Sequence, residues 1–364
     1  MRLKIKILNF ILNILKPFAF GQKVRAEVLF VSLENAELTG NFKLISDELT
    51  KRGIKCRYHL LKFDKSLIGY AKYFTSCIRQ LFMVNRAKMV IIDFNNYICC
   101  NYKRSETKVF ELWHASGCIK RFGNETDRDY VIKGYDYILA AAESFKSFYS
   151  MAFNVPEDSV KVLGIPITDE FFDEKKKNDA ITKFNARYNL SNKKVILYAP
   201  TFRGRLMKGF KGEYLDVNAL ISSLPDDYVI MYKMHPLMQD YVLTEGDRVI
   251  NVSHESLTEL FYITDYLISD YSALIFDFSV FNKPMIFYVP DIEEYRSETG
   301  LFIDYENEMP GPIVKDESAL RQAIVEYPEE DLKKVELFKD KYATMTDGKS
   351  LDRVVDFITD VMKG

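Results

Sequence analysis

The hydrophobic positions of the chain fall into short continuous runs, separated by longer stretches whose apolar residues recur with a helical period. The runs are rich in Val, Ile, Leu and aromatic residues, and polar residues follow most of them. Strands that are apolar throughout and alternate with helices are typical of a parallel sheet covered on both faces. The pattern therefore predicts an α/β protein. In the first half of the chain it predicts strands at 24–34, 53–61, 87–95, 107–115, 135–142 and 160–166.

Residues 173–194 interrupt this alternation, because they are polar and charged and carry no strand signal. Two α/β units of similar size on either side of the break predict two Rossmann-type domains with a cleft between them. Ligands of such sheets bind beyond the carboxyl ends of the strands. We expect domains at 21–170 and 171–364, with the last helix able to pack back on the first domain. The second series of predicted strands lies at 194–202, 228–236, 248–253, 266–272 and 284–290.

The first twenty residues, MRLKIKILNFILNILKPFAF, predict a separate amphipathic helix. Its polar residues interrupt the segment too often for a transmembrane span, which needs about 20 mostly apolar residues, and no secretory cleavage site is evident. We therefore predict that residues 1–20 lie on the cytoplasmic face of the membrane, with their cations toward anionic lipid. The alternative is an ordinary helix packed on the body of the protein. The polar stripe consists of Arg2, Lys6, Asn9, Asn13 and Lys16, opposite Leu3, Ile7, Phe10, Ile11, Ile14 and Leu15.

Composition narrows the class of protein. A length of 364 residues favours two domains, and 48% hydrophobic with 28% charged residues indicates a globular chain. The net charge of -2 gives no reason to expect nucleic acid binding. The five cysteines show no CxxC spacing, which suits a reducing cytosol better than a disulfide framework. Because no G-x-G-x-x-G occurs, and because the candidate strand ends carry neither an acidic DxD pair nor a His/Asp cluster, we expect no cofactor and no metal.

Polar side chains follow several predicted strands, where the next helix begins. In ELWHASGCIKRFG (111–123), His114 stands beside the only tryptophan and before three small residues. SDYSALIFDF (269–278) runs directly from strand into helix, so its free N–H groups and the Ser272 hydroxyl would face an anion. Each residue alone could be an ordinary strand end or helix cap. Their shared location makes candidates of His114, Thr201, Lys233, His235, Ser269, Asp270 and Ser272.

A further helix start of this kind occurs in TDGKSLDRVV (346–355). Gly348 allows close approach, Ser350 provides a cap, and Arg353 lies one turn into the helix. The other two histidines, His59 and His254, have no such context, and we predict structural or solvent-facing roles for them.

Eight motifs occur in the order that is found in the CDP-glycerol glycerophosphotransferases, the Gram-positive enzymes that build wall teichoic acid. The chain resembles this family over about residues 87–357, and SDYSALIFDF with the downstream PGP is the most specific pair. The motifs are ELWHASGCIKRFG, VLGIPITDEFF, ILYAPTFR, YKMHP, LISDYSALIFDF, NKPMIFYVPDIEEY, FIDYENEMPGPI and DGKSLDRVV.

Departures from the motifs indicate the branch of the family. Polymerases have Thr-Pro after their WHG, where this chain has Ala115, Ser116 and Gly117, and they usually have Arg where this chain has Ile167. The chain is in this respect more similar to the primases, which add the first glycerol phosphate to a lipid-linked disaccharide. Ala273 replaces the second Ser usual after DYS, which removes one hydroxyl near the phosphate.

The resemblance implies a GT-B fold, with an acceptor domain first and a CDP-donor domain second. It also implies a mechanism in which His114 is the general base on the acceptor hydroxyl. That hydroxyl then attacks the β-phosphorus of CDP-glycerol, and CMP leaves. Histidine suits this role because its ordinary pKa lies near the working pH. His235, Ser272 and Arg353 are expected to neutralise the pyrophosphate.

The remaining implied contacts divide between the two substrates. On the donor side, Asp277 orients Ser272 or the helix start, and the other expected residues are Thr201, Arg203, Lys233, Ser269, Asp270 and Ser350. On the acceptor side, the expected residues are Ser116, Gly117, Lys120 and Arg121, with the two cations meeting the lipid pyrophosphate.

Three alternatives stay open at this point. The same sites would serve a CDP-ribitol ribitolphosphotransferase, and a nucleotide-sugar glycosyltransferase shares the fold. A membrane-bound scaffold without chemistry is the third, although the presence of both His114 and His235 argues against it. The expected partners are CDP-glycerol, a lipid-linked saccharide acceptor and the inner membrane face, with a peripheral location there. The oligomeric state is left open.

Overall fold

Two parallel sheets of six strands form the framework of the protein. The computed structural model describes residues 2–64, 66–113, 115–201, 203–205, 209–211, 214–235 and 238–364. The chain divides into two units, each with one of these sheets, as predicted for an α/β protein. Unit 1 consists of Met1–His114, Phe122–Asp169 and Met345–Gly364, and unit 2 consists of Ala115–Arg121 and Glu170–Thr344.

The sheet of unit 1 has the strand order β2-β1-β3-β4-β5-β6, with every neighbouring pair parallel. Helices connect most of these strands, as the hydrophobic pattern requires for a parallel sheet. The elements of this unit are α1 (Arg2–Phe20), β1 (Arg25–Ser32), α2 (Gly40–Lys51), β2 (Lys55–Leu60), α3 (Leu67–Val84), β3 (Ala87–Ile92), α4 (Tyr97–Tyr102), β4 (Lys108–Glu111), β5 (Tyr137–Ala140), α5 (Lys146–Phe153), β6 (Val160–Val162) and α14 (Ser350–Lys363).

Helix α14 completes the core of unit 1, although it comes from the far end of the chain. Val354, Val355 and Ile358 are fully buried and pack in one cluster with residues of β1, β3 and β4. Their spacing places them on one face of the helix, which also contacts α2. The core of unit 1 is therefore built from residues that are far apart in sequence.

The sheet of unit 2 has the order β11-β10-β7-β12-β13-β14 and is also entirely parallel. This is the 3-2-1-4-5-6 order of a Rossmann sheet, whose direction of winding reverses between β7 and β12. The elements are α6 (Glu174–Tyr188), β7 (Lys194–Tyr198), β8 (Arg203–Arg205), β9 (Gly209–Lys211), α7 (Val217–Ser223), β10 (Tyr228–Tyr232), β11 (Val249–Asn251), α8 (Leu257–Ile263), β12 (Tyr266–Ser269), α9 (Leu274–Phe278), β13 (Met285–Tyr288), α10 (Ile292–Thr299), α11 (Tyr305–Glu308), β14 (Ile313–Val314), α12 (Glu317–Val325) and α13 (Glu329–Tyr342).

Every strand predicted from the hydrophobic pattern occurs in the structure, but the strands are shorter than predicted. The difference lies mostly at their carboxyl ends, where polar residues leave the sheet and form loops. Two features were missed. Strand β14 has only two residues, too few to give a pattern, and the antiparallel hairpin β8–β9 lies in a basic, glycine-containing stretch with no apolar run.

The amino-terminal helix α1 packs against α3, and its orientation differs from the one its pattern predicted. Asn9 was assigned to an exposed polar stripe, but its side-chain oxygen accepts hydrogen bonds from the hydroxyls of Tyr97 at 2.5 Å and Tyr102 at 3.0 Å. Leu8 and Leu12 are buried. The exposed residues of the helix include Lys6 and Asn13 and also four large apolar side chains, Ile7, Phe10, Ile14 and Phe18, which we call the α1 ridge.

Membrane-spanning helices were sought among the described residues. None of the helices found there combines the length and the apolar character that a bilayer crossing needs.

Candidate active site

In unit 2, the loops that follow β7 and β12 are joined at the place where the strand order reverses. The backbone N–H of Thr201 donates to both carboxylate oxygens of Asp270, at 2.9 and 3.0 Å. The Ser269 hydroxyl donates to the carbonyl of Ala199 at 3.0 Å. Thr201, Ser269 and Asp270 were all predicted to bind the donor. The structure brings them together at the expected strand ends, where the Ser269 hydroxyl and the Asp270 carboxylate hold the loops in place.

Aromatic side chains stack on and hydrogen-bond to the SDYS turn and fix its conformation. The rings of Tyr271 and Tyr295 stack with centroids 3.7 Å apart, and the Tyr271 hydroxyl bonds to Asp291 at 3.1 Å. The hydroxyl of Tyr305 donates to the carbonyl of Asp270 at 2.7 Å. The turn is thereby fixed by side chains that lie within the motifs but were not predicted to have a role in the site.

Ser272 lies at the outer end of this turn and is half-buried. The backbone N–H of Leu274 approaches its hydroxyl oxygen at 3.5 Å, which is at the limit of a hydrogen bond. The helix that follows was predicted to offer an anion its amino-terminal end, but α9 has only five residues. The Ser272 hydroxyl is therefore the more substantial feature for binding a phosphate here.

Asp277 was predicted to act on the donor side and Ser116 to bind the acceptor, but the two side chains are hydrogen-bonded to each other within unit 2. The Ser116 hydroxyl bonds to the Asp277 carboxylate, which lowers the pKa of that carboxyl, but burial has the larger effect and raises the pKa to about 6. Ser116 is itself buried. This pair fixes the residues that follow His114 against the helix that follows SDYS.

The short segment 115–121 belongs to unit 2, whereas the predicted domain boundaries placed it in the first domain. Lys120 forms an antiparallel bridge with Leu301, and the Phe302 N–H donates to the Ile119 carbonyl at 2.8 Å. The Arg121 N–H donates to the Gly300 carbonyl at 3.0 Å. All four predicted acceptor residues, Ser116, Gly117, Lys120 and Arg121, lie in this segment.

The Lys120 cation lies near enough to His235 to affect the pKa of its imidazole. Burial, and secondly the Lys120 cation, lower the pKa of His235 to about 4. The imidazole is therefore neutral near pH 7. An anion bound beside both side chains would be attracted by the lysine and would favour protonation of the histidine.

The predicted donor residue Lys233 is engaged with the protein. Its ammonium donates to the carbonyls of Ser253 at 2.9 Å and Glu255 at 2.7 Å, and burial lowers its pKa. These contacts favour a structural role, in which Lys233 holds the loop after β11.

Arg353 and Ser350 lie in unit 1, in a close network with other protein groups. The Arg353 guanidinium donates to the carbonyls of Leu163 at 2.8 Å and Met345 at 2.6 Å, and it pairs with both oxygens of Asp347. The Ser350 hydroxyl donates to the Met345 carbonyl at 3.1 Å. The guanidinium predicted to meet the pyrophosphate is therefore largely occupied by protein acceptors.

The motifs VLGIPITDEFF and DGKSLDRVV interlock in this network. Asp169 caps α14 by accepting hydrogen bonds from the backbone N–H groups of Ser350 and Leu351, at 2.9 and 2.8 Å. Gly164 has φ +82, and a Cβ there would come within 2.4 Å of the Met345 carbonyl and the Ser350 hydroxyl. The structure thus explains both motifs by packing within unit 1.

In unit 1, the end of β4 holds a strained backbone immediately before His114. Trp113 has φ 55, a left-handed conformation that is costly for a bulky residue. Its N–H donates to the Glu111 carboxylate at 2.9 Å, and its ring stacks on Phe122 with centroids 4.6 Å apart. The strand therefore ends in a fixed turn that sets the direction in which the chain continues.

Glu111 is fully buried, and one of its oxygens has no hydrogen-bond partner among the described residues. Burial raises its pKa well above the ordinary value, and the nearby carboxylates of Asp93 and Glu34 raise it further. Asp93 follows β3 and accepts a hydrogen bond from the Ser32 hydroxyl at 2.9 Å. Burial raises the pKa of Asp93 to about 6. Burial therefore favours the neutral form of the Glu111 carboxyl beside Trp113.

Two predicted site residues cannot be placed. His114 and the side chain of Arg203 lie outside the described residues. Sequence reasoning also missed residues that support the site, namely Glu111, Asp93, Asp169, Tyr295 and Tyr305. The acidic residue three positions before His114 was a visible signal for the first of these. In the described part of the chain, no group of three or more His, Cys, Asp or Glu side chains is arranged to hold a metal ion.

Comparison with known proteins gives a family. Residues 14–360 match the family model described as CDP-Glycerol:Poly(glycerophosphate) glycerophosphotransferase. The chain is 36% identical to the teichoic acid ribitol-phosphate primase of Bacillus spizizenii, over 92% of this chain and 90% of that protein. It is 30% identical to the teichoic acid glycerol-phosphate primase of Bacillus subtilis, over 78% of this chain and 77% of that protein.

A solved structure of the wall teichoic acid polymerase TagF has the same fold. It superposes with a TM-score of 0.73 at 23% identity, and the match covers 93% of this chain and 90% of that chain. The predicted GT-B-like arrangement of two parallel-sheet α/β domains is therefore confirmed, as is the resemblance on which it was based.

Proposed function

This chain belongs to the CDP-glycerol:poly(glycerophosphate) glycerophosphotransferase family, and we propose on this basis that it is a primase of teichoic acid synthesis. The family transfers an alcohol phosphate from a CDP-alcohol in the synthesis of teichoic acids. In the proposed reaction, an alditol phosphate passes from a CDP-alditol to a lipid-linked saccharide, and CMP is released. The observation that supports the proposal most directly is the proximity of Lys120 to His235 in unit 2, the unit that also holds Ser272 and the Ser116–Asp277 pair.

Ser272, Lys120 and His235 have the chemistry needed to hold the donor pyrophosphate, so we reassign Lys120 from the acceptor to the donor. Ser272 offers a hydroxyl from a rigid turn, Lys120 offers a cation, and His235 offers a ring nitrogen. Because the Lys120 cation and burial keep His235 neutral in the free protein, arrival of a phosphate would raise the pKa of this imidazole. Charge that builds on the departing CMP would then be stabilised by groups already in place.

The acceptor side of the proposal rests on His114 as general base. The Glu111–Trp113 hydrogen bond fixes the backbone that leads directly to this residue. We assign Glu111 as a positioning residue, because its carboxyl group bonds the N–H of a strained Trp113. Ser350 and Arg353 are better explained as structural residues of unit 1 than as donor ligands, since their polar atoms bind Asp347, Leu163 and Met345.

Two donors are candidates. CDP-ribitol is favoured by the 36% identity to a ribitol-phosphate primase of nearly the same length. CDP-glycerol is the second candidate, supported by the eight motifs and by the 30% identity to a glycerol-phosphate primase. The motif departures at Ala115, Ser116 and Gly117 and at Ile167 support addition of a first unit rather than polymerisation.

The donor is tested by incubating the protein with a lipid-linked disaccharide and either CDP-ribitol or CDP-glycerol. We expect mass spectrometry to show CMP release and addition of a first ribitol phosphate, with CDP-glycerol consumed more slowly. A UDP-sugar serves as the control donor and should not react. Transfer from the UDP-sugar alone would show that the protein is a glycosyltransferase instead. The absence of transfer from every donor would favour a scaffold without chemistry.

Membrane association is the remaining part of the proposal. The α1 ridge presents Phe10 and Phe18 to solvent with 66% and 69% of their surface exposed. An exposed aromatic row on an amphipathic helix is typical of insertion into the interface of a bilayer. The helix would bring the enzyme to its lipid-linked acceptor.

Substituting both aromatic residues of the ridge, as F10S/F18S, should lower partitioning to phosphatidylglycerol vesicles by about tenfold or more, because each phenyl ring contributes about 1.5–3 kcal/mol when buried. Vesicle co-sedimentation measures this. The matched control is V325S/L337S, which removes two exposed apolar side chains from unit 2, with Leu337 69% exposed. Equal partitioning of the two double variants would show that the ridge does not insert.

A further inference from the structure

A cavity lies in unit 1 between the edge strand β2 and helix α3. Its volume is about 400 Å³. Strand β2 is at the end of its sheet, so the cavity opens along an edge that no further strand covers. Its lining consists of Tyr58, His59, Leu60, Leu61, Lys72, Thr75, Ser76, Arg79 and Met83.

The charged groups of the lining are all basic. Lys72 and Arg79 are exposed, and neither forms an ion pair within the described part of unit 1. Asp64 interacts with Lys72 at longer range, and its carboxylate accepts hydrogen bonds from the N–H and hydroxyl of Ser66. Lys72 and Arg79 lie two turns apart, about 10 Å along the helix axis, so their long side chains can reach one anion between them.

The inner wall of the cavity is polar and well ordered. The His59 ring nitrogen Nε2 bonds to the Ser76 hydroxyl at 2.7 Å, and Gln80 donates to the same hydroxyl at 2.9 Å. The Gln80 side-chain oxygen accepts from Asn96 at 2.8 Å. Ser76 and Gln80 are buried, so this chain of hydrogen bonds holds His59 in a fixed position.

An apolar surface adjoins these polar groups. Ile68, Lys72, Thr75 and Arg79 follow one another at steps of four, three and four, so they lie on one face of α3. Ile68 and its neighbour Leu67 are 68% and 84% exposed. Helix α3 packs against α1. The two cations and the two exposed apolar side chains of α3 therefore lie next to the helix that bears the α1 ridge.

We propose that this cavity binds a phosphate group, which Lys72 and Arg79 meet from α3 and His59 meets from β2. Arginine matches the geometry of a phosphate, lysine adds a point charge, and an imidazole can donate to a phosphate oxygen. The phosphate belongs either to an anionic lipid headgroup, whose acyl chains would contact Leu67 and Ile68, or to a small soluble phosphate ester. The site shares no residue with the proposed donor and acceptor sites and does not depend on the proposed reaction.

The test is calorimetric titration of the full-length protein with two probes. One is dihexanoyl phosphatidylglycerol below its micelle concentration, and the other is glycerol phosphate, which lacks acyl chains. Excess CDP is present in both titrations to occupy the proposed donor site. K72Q/R79Q should weaken binding of the effective probe by at least about tenfold, as expected for loss of two charged hydrogen bonds to phosphate.

The matched control is K43Q/K51Q, which removes two exposed cations from α2 of the same unit and should bind like the unaltered protein. T75W, which fills the cavity without changing charge, should also prevent binding. Tighter binding of the lipid identifies a headgroup site, and equal binding of both probes identifies a soluble ester. The proposal is overturned if neither probe binds, or if both double variants weaken binding equally.

Discussion

Replacing His114 with alanine should abolish transfer while leaving affinity for the CDP-alditol nearly unchanged. The proposed base acts on the acceptor hydroxyl and not on the donor. Loss of a general base slows a reaction by about 10²–10⁴-fold, and the donor contacts attributed to Ser272, Lys120 and His235 stay intact. The expected signature is therefore a loss of turnover with an unchanged dissociation constant for the donor.

Single-turnover CMP release and calorimetric donor binding measure the two quantities. His254→Ala is a suitable control, because this histidine is 66% exposed and has no predicted role. If the His114 variant turns over normally, another group is the base. If it loses donor binding instead, His114 is a donor ligand and its assignment to the acceptor is wrong.

The second large effect is expected at Glu111, where two substitutions should behave differently. Glu111→Leu removes the acceptor of the Trp113 N–H and leaves that buried group without a partner, at a cost of about 1–3 kcal/mol. The left-handed turn before His114 would then relax. A displacement of about 1 Å in a catalytic group can cost about 10²-fold in rate, so we expect a loss of about that size in turnover, with donor affinity retained.

Glu111→Gln should keep most of the activity. Its amide carbonyl can accept the same hydrogen bond, and its neutral amide resembles the protonated form of the carboxyl, which burial of Glu111 favours. Thermal unfolding of both variants separates a loss of fold from a loss of positioning. Equal inactivity of the two variants, in proteins that remain folded, would show that a charged Glu111 takes part in the chemistry. Normal turnover of Glu111→Leu would show that Glu111 has no positioning role.

The regular part of the fold could be predicted from the sequence because buried parallel strands carry a strong and local signal. Val, Ile and Leu in short runs are required wherever both faces of a strand are covered. The same reasoning located the polar residues at the ends of β7 and β12, since these must leave the sheet. It did not find β14, whose two residues carry too little pattern.

The functions of individual polar residues were harder to predict, because sequence does not show which partner each one has. Arg353 and Lys233 appeared to be free cations, but their donors are engaged by carbonyl oxygens from loops distant in sequence. The predicted orientation of α1 was wrong for a similar reason. A period of 3.6 residues shows that a helix has two faces, but Asn9 bonds to Tyr97 and Tyr102, and these bonds turned an apparently solvent-facing residue inward.

The location of α14 in the core of unit 1 has a consequence for biosynthesis. A ribosome completes β1 to β6 of this sheet long before it reaches Val354, Val355 and Ile358, which lie beyond all of unit 2. During translation the nascent sheet therefore has one face that α2 covers only in part, because the place of α14 is still empty. Unit 2, apart from segment 115–121, is a single stretch of chain and can form its core as it emerges. We expect the unit that is synthesised first to reach its native state last, after the chain has left the ribosome.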